Sequence, residues 1–86
     1  MNVEGQLISG EFDSSRQEFL IKEIKNLTTE STVNENELGL IHDYLLAHQD
    51  EDGGQILSLN DQLLVQLNQS EVQQILQDLE DIRKLF

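Results

Sequence analysis

The spacing of apolar and polar positions along this chain changes from segment to segment and is most regular at its end. In "EVQQILQDLEDIRKLF", residues 71 to 86, Val72, Ile75, Leu79, Ile82 and Phe86 recur at steps of three, four, three and four. That is the a/d stripe of an amphipathic helix, and Leu76 broadens it. Asn68 and Glu71 have the spacing of a capping box, in which two side chains satisfy backbone donors at a helix start, and Leu67 and Val72 have the spacing of a hydrophobic staple. A helix over 69–85 is predicted, with Glu71 in the first turn and Arg83 and Lys84 in the last, as the helix dipole favours.

The same grammar recurs upstream. Asn34 with Glu37, and Val33 with Leu38, predict a helix over 35–49. Leu38, Ile41 and Leu45 form one apolar line on it and Leu40, Tyr44 and Ala47 a second, so it is expected to sit centrally. Gly53 and Gly54 supply the left-handed geometry that commonly ends a helix. Ser15 with Glu18 again fits a capping box and predicts a helix over 15–27. Leu20, Ile24 and Leu27 follow there at i, i+4 and i+7, Phe19 and Ile21 widen the stripe, and "TTESTVN" breaks it.

Two stretches have mixed period. Residues 1–12 alternate at Gln6, Ile8, Gly10 and Phe12, which fits an edge strand or an arm that packs Leu7 and Phe12 onto helices. "QILSLNDQLLVQL", residues 55 to 67, forms a hairpin at period two, with Leu57 and Leu59 facing Leu63, Val65 and Leu67 across Asn60-Asp61. At helical period Leu59, Leu63 and Leu67 align behind an Asn60 cap, and the Leu and Gln content favours this short helix, over 60–67. The expectation is a single all-α domain over residues 1–86, a small three- to four-helix bundle with an N-terminal arm. The alternative is α+β, with a small antiparallel sheet built from residues 3–12 and 55–67.

Charge changes this picture more than any other property. The 86 residues carry 17 acids against 5 bases, a formal net charge of −12. Arg16, Lys22 and Lys25 come early and Arg83 and Lys84 late, so residues 26–82 contain no Lys or Arg. Direct binding to nucleic acid needs clustered bases to displace counterions, and binding to anionic membranes needs them equally, so neither is expected. No segment approaches the ~20 apolar residues of a membrane span, and the N-terminus has no basic start followed by an apolar run. A cytoplasmic protein is expected. A field of one sign suits a basic partner protein, and the face assigned to it comprises Glu30, Glu35, Glu37, Asp43, Asp50, Glu51, Asp52 and Asp61. The stripe of Val72, Ile75, Leu79, Ile82 and Phe86 is assigned first to an intramolecular core and second to a homodimer seam.

Catalytic chemistry finds little support. "HQDEDGGQIL" has alternating Asp50 and Asp52 ahead of Gly53. A calcium loop would need a glycine where Gln55 stands and a glutamate where Asp61 stands. His42 and His48, six apart, point about 240° away from each other on a helix and cannot share a metal there. The serines stand where caps and turns need hydroxyls, and neither "GQLISG" nor "DGGQ" has the lysine of a phosphate loop. No enzyme activity, metal or cofactor is expected.

The spacing of "EFLIKEI" and "NENELGLIHDYL" resembles the first two helices of the small acidic immunity proteins that neutralise nuclease bacteriocins. That resemblance implies a four-helix fold and a basic nuclease partner. The family's binding helix carries a paired tyrosine followed by proline, however, and "GGQILSLND" has neither, so no functional residue is carried over. The functional expectation is a non-catalytic acidic interaction module, an inhibitor or adaptor of immunity or antitoxin type that occludes a basic, nucleic-acid-binding surface. The alternative is an assembly subunit that oligomerises through its C-terminal helix.

Overall fold

A computed structural model describes residues 1–59 and 63–86. Strands β1 (Asn2–Glu4), β2 (Ile8–Asp13), β3 (Glu18–Ile24) and β4 (Leu27–Asn34) form an antiparallel meander in the order β1-β2-β3-β4. Helix α1 (Glu35–Ala47) follows, then a separate hairpin of β5 (Gln55–Leu59) and β6 (Leu63–Leu67), then helix α2 (Gln69–Arg83). The molecule is α+β with two antiparallel sheets, which corrects the all-α bundle.

The error is concentrated in residues 15–34. Ser15 caps no helix: its backbone N–H and its hydroxyl both donate to Asp13 Oδ1, at 3.0 and 2.7 Å, in a turn closed by Gln17 at φ 53°. The apparent helical stripe of 15–27 is produced by a bulge. Ile21 pairs with Gly10 and Glu23 with Ser9, which leaves Lys22 as an extra residue on β3. One inserted residue restarts the inward alternation, so Phe19, Ile21 and Ile24 are all buried at steps of two and then three. A step of three between buried residues imitates i, i+3. Leu20 is only partly buried and Leu27 is exposed, so Leu20, Ile24 and Leu27 share no face. The chain reverses at Lys25 and Asn26, at φ 50° and 64°, the two left-handed residues of a type I′ hairpin turn. Because "EFLIKEI" is strand β3, the likeness to the first helix of the immunity proteins lapses with it.

The helix-start devices at Asn34 and Asn68 are formed. In each the asparagine Oδ1 accepts the N3 amide at 2.8 Å and the N3 glutamate accepts the asparagine N–H, at 3.0 Å for Glu37 and 2.9 Å for Glu71. Helix α1 ends at His48, before Gly53 and Gly54. Those glycines, at φ 85° and 80°, steer the loop into β5 instead, and a Cβ on Gly54 would lie 2.0 Å from the Leu67 carbonyl oxygen. The short helix predicted over 60–67 is corrected to strand for Leu63–Leu67, while residues 60–62 lie outside the described residues. The α+β alternative has the class and the strands of both stretches right, but not their union in one sheet: β2 pairs with β1 and β3, and β5 pairs with β6.

The core joins Ile8 and Phe12 of β2, Phe19, Ile21 and Ile24 of β3, Val33 of β4, Leu38 and Leu45 of α1, the inward side of the hairpin, and α2. Asp78 enters it from α2 at 3% exposure. Its carboxylate accepts the backbone N–H groups of Gln6 at 2.8 Å, Leu7 at 2.7 Å and Ile8 at 2.9 Å. One acid thus satisfies the donors of the β1–β2 turn and fixes that turn to the last helix.

Candidate protein interaction surface

Helix α1 has one buried line, Leu38 and Leu45, with Ile41 and His42 half-buried beside it. The second apolar line of the sequence faces outward. Leu40 is 63% and Tyr44 47% exposed, and Ala47 continues the line one turn on. These residues stand at i, i+4 and i+7, so they share a face. Tyr44 is held in place: its hydroxyl donates to Gln55 Oε1 at 3.4 Å and its ring centroid lies 4.6 Å from that of His48.

Six of the eight acids assigned to a partner from sequence lie on α1 or in the loop that follows it. Glu35 and Glu37 project from the first turn of α1 and Asp43 from its middle, and Asp50, Glu51 and Asp52 follow in the loop to β5. Glu30 is exposed on β4. Asp61 lies outside the described residues. Two of the acids have local duties. Glu37 closes the α1 cap, and Glu51 takes the His48 ring and the Gln55 amide. The His48 hydrogen bond, and then that of Gln55, hold the Glu51 carboxyl below its ordinary value.

The few bases are engaged elsewhere. Lys22 lies 3.4 Å from Glu11, Lys25 3.1 Å from Glu71, Lys84 3.8 Å from Asp81 and Arg16 4.0 Å from Asp13. Among the described residues, no Lys or Arg nitrogen comes within 4.0 Å of Glu30, Glu35, Glu37, Asp43, Asp50, Glu51 or Asp52. Arg83 reaches the face: it lines a shallow concavity with Glu35, Asn36, Gly39, Leu40 and Asp43.

The two histidines stay apart. His42, its side chain only 12% exposed, bridges the helices, with Nε2 3.2 Å from Glu80 and Nδ1 3.4 Å from Asp43. His48 turns to Glu51. Val72, Ile75, Leu79 and Ile82 are each at most 1% exposed in the chain's own core, and Phe86 packs edge-on against Phe12 with ring centroids 4.9 Å apart. The terminal stripe therefore faces inward.

Sequence reasoning missed two features. The outward line of Leu40, Tyr44 and Ala47 had been read as a second buried side, although a core this small has only one side of α1 to cover. Asp78 is the second, a residue to which the sequence assigns no role. Its signal was position: it interrupts the run Ile75, Leu76, Leu79, where a solvated side chain has no place.

Comparison with family models, with curated proteins and with solved structures finds no match for this chain. Among the described residues no helix is long and apolar enough to cross a membrane.

Proposed function

We propose that this chain is a non-catalytic interaction module, an inhibitor or adaptor, that seats a basic patch of another protein on the outer side of α1. The observation that supports this reading is the distribution of ion pairs. Four of the five bases pair with acids away from α1, while the acids of α1 and its following loop have no Lys or Arg nitrogen within 4.0 Å among the described residues, and Arg83 alone lines a concavity with two of them. Such a field steers a cationic partner and raises the encounter rate. The exposed leucine and tyrosine then provide the apolar area that charge alone does not, tyrosine being a frequent anchor of interfaces. A nucleic-acid-binding groove is the kind of basic surface that this charge suits.

The test is capture of partners from a lysate of the source cells by the native chain and by the variant Glu35→Gln, Asp43→Asn, Asp50→Asn, Asp52→Asn. The native chain is expected to retain a basic protein at low salt and release it as salt rises, because exposed charges are screened beyond ~8 Å at physiological ionic strength. The variant should retain far less. Equal recovery by both chains at every salt concentration would refute the reading.

A further inference from the structure

Among the described strands and helices, only β5 and β6 carry no charge. Neither Gln55–Leu59 nor Leu63–Leu67 contains a charged residue, in a chain with a net charge of −12. The two-stranded sheet has an outer edge on each side, and the two edges differ. On β6, Lys25 Nζ donates to the Gln66 carbonyl at 2.6 Å, so a lysine guards that edge. On β5, no bond from outside the hairpin reaches Ile56, Leu57, Ser58 or Leu59 among the described residues, and no charge, proline or bulge blocks the strand. The outward side chains here include Ile56 at 59% and Leu64 at 69% exposure.

The register shows which backbone groups are offered. Gln66 pairs with Ile56, Leu64 pairs with Ser58, and the Gln66 carbonyl points out of the ladder to Lys25. Alternation in an antiparallel ladder then turns the N–H and C=O groups of Ile56 and Ser58 outward from β5. A second β5 strand laid antiparallel about a two-fold axis at Leu57 sets Ile56 opposite Ser58 and Ser58 opposite Ile56. Both pairs then have their donors and acceptors face to face. The same register makes the two Ile56 side chains diagonal neighbours, which continues the diagonal of Leu64 and Ile56 into one apolar row across both copies.

From this we infer that the β5 edge is a self-association site, and that two copies of the chain join β5 to β5 into a four-stranded sheet. The occupant is a second copy because the edge is self-complementary under two-fold symmetry, which closes the contact. Along Gln55–Leu59 itself, two chains of like charge meet without opposing carboxylates. The site uses the backbone groups of Ile56 and Ser58, not the acids of α1 and its loop, and responds to salt in the opposite sense. Screening lowers the repulsion between two copies and so favours dimer, whereas it weakens the binding of a basic partner.

Sedimentation equilibrium of the full chain over a wide concentration range, at low and high salt, tests the inference together with hydrogen exchange at the Ile56 and Ser58 amides. The expected result is a mass rising from 9.9 kDa towards twice that value, a dimer fraction that grows with salt, and exchange at those two amides that slows as concentration rises. Ser58→Pro removes an outward N–H that the hairpin itself does not use, and proline is tolerated on such an edge. It should give a monomer. Ile56→Lys, which sets two like charges diagonally across the axis, should do the same with the fold intact by circular dichroism. A native chain that stays at 9.9 kDa throughout, or a dimer that folded Ile56→Lys leaves unchanged, overturns the inference.

Discussion

Helices α1 and α2 start from the same device, an asparagine and an N3 glutamate that satisfy each other's backbone amides, yet α2 buries six of its residues and α1 two. The difference lies in what surrounds them. The stripe of α2 is narrow and faces the hairpin, the meander and α1 together, so each apolar side chain on it finds cover. The apolar residues of α1 run along two sides, and only the Leu38–Leu45 side is buried. A leucine's fate is therefore set by which elements arrive next to it, not by the strength of its helical pattern. The second helix holds the molecule together, and the first displays a surface.

That contrast can be broken most severely at Asp78. In Asp78→Ala, three amides of the β1–β2 turn lose a charged acceptor at a site that is 3% exposed. Unfolding in denaturant should show a loss of about 3–5 kcal/mol, since unsatisfied buried donors cost about 1–3 kcal/mol each and part of the cost relaxes. Gly5→Ala approaches the same carboxylate from the other side, because a Cβ there would lie 2.6 Å from its atoms. It should cost less than the deletion.

The caps give a smaller effect that sharpens the comparison. Asn68→Ala should cost about 1 kcal/mol by thermal or denaturant unfolding, within the ordinary range for a lost N-cap. Its partner Glu71 is held below the ordinary carboxyl value of 4.5 by the Asn68 amide and then by Lys25. A depressed folded value means stability that is present above about 4.5 and is lost as pH falls through the folded value. Lys25→Gln removes the second cause. The gap between its stability and that of the native chain should be full at neutral pH and close in acid, as read from unfolding midpoints across pH.

The smallest effect is expected on α1. Leu40→Lys replaces a leucine that is 63% exposed, and stability should stay within about 0.5 kcal/mol of native. Retention of a basic partner should fall all the same, because the substitution puts a positive charge at the centre of the proposed contact.

Local signals account for what could be read beforehand. Both asparagine caps, the helices behind them and the inward stripe of α2 follow from residues within a turn or two of each other. The β-meander did not, because three features conceal it. Ser15 and Glu18 imitate a cap that Asp13 pre-empts, the Lys22 bulge gives Ile21 and Ile24 a helical step, and the I′ turn is written Lys25-Asn26 without a glycine. For the surface, the bases' absence from 26–82 was legible, but which acids border an exposed apolar line depends on how α1 packs. The role of Asp78 depends on contacts with Gln6, Leu7 and Ile8, which no local window contains.

Those contacts also impose an order of events on synthesis. Ribosomes release a chain from its N-terminus, so the amides of Gln6, Leu7 and Ile8 emerge first and then wait for a carboxylate encoded 70 to 72 positions later. Until it emerges those three donors have only water to accept from them. A nascent chain stalled before residue 78 should leave its first strands open to protease, and a chain extended past it, with Asp78 outside the ribosome, should close them.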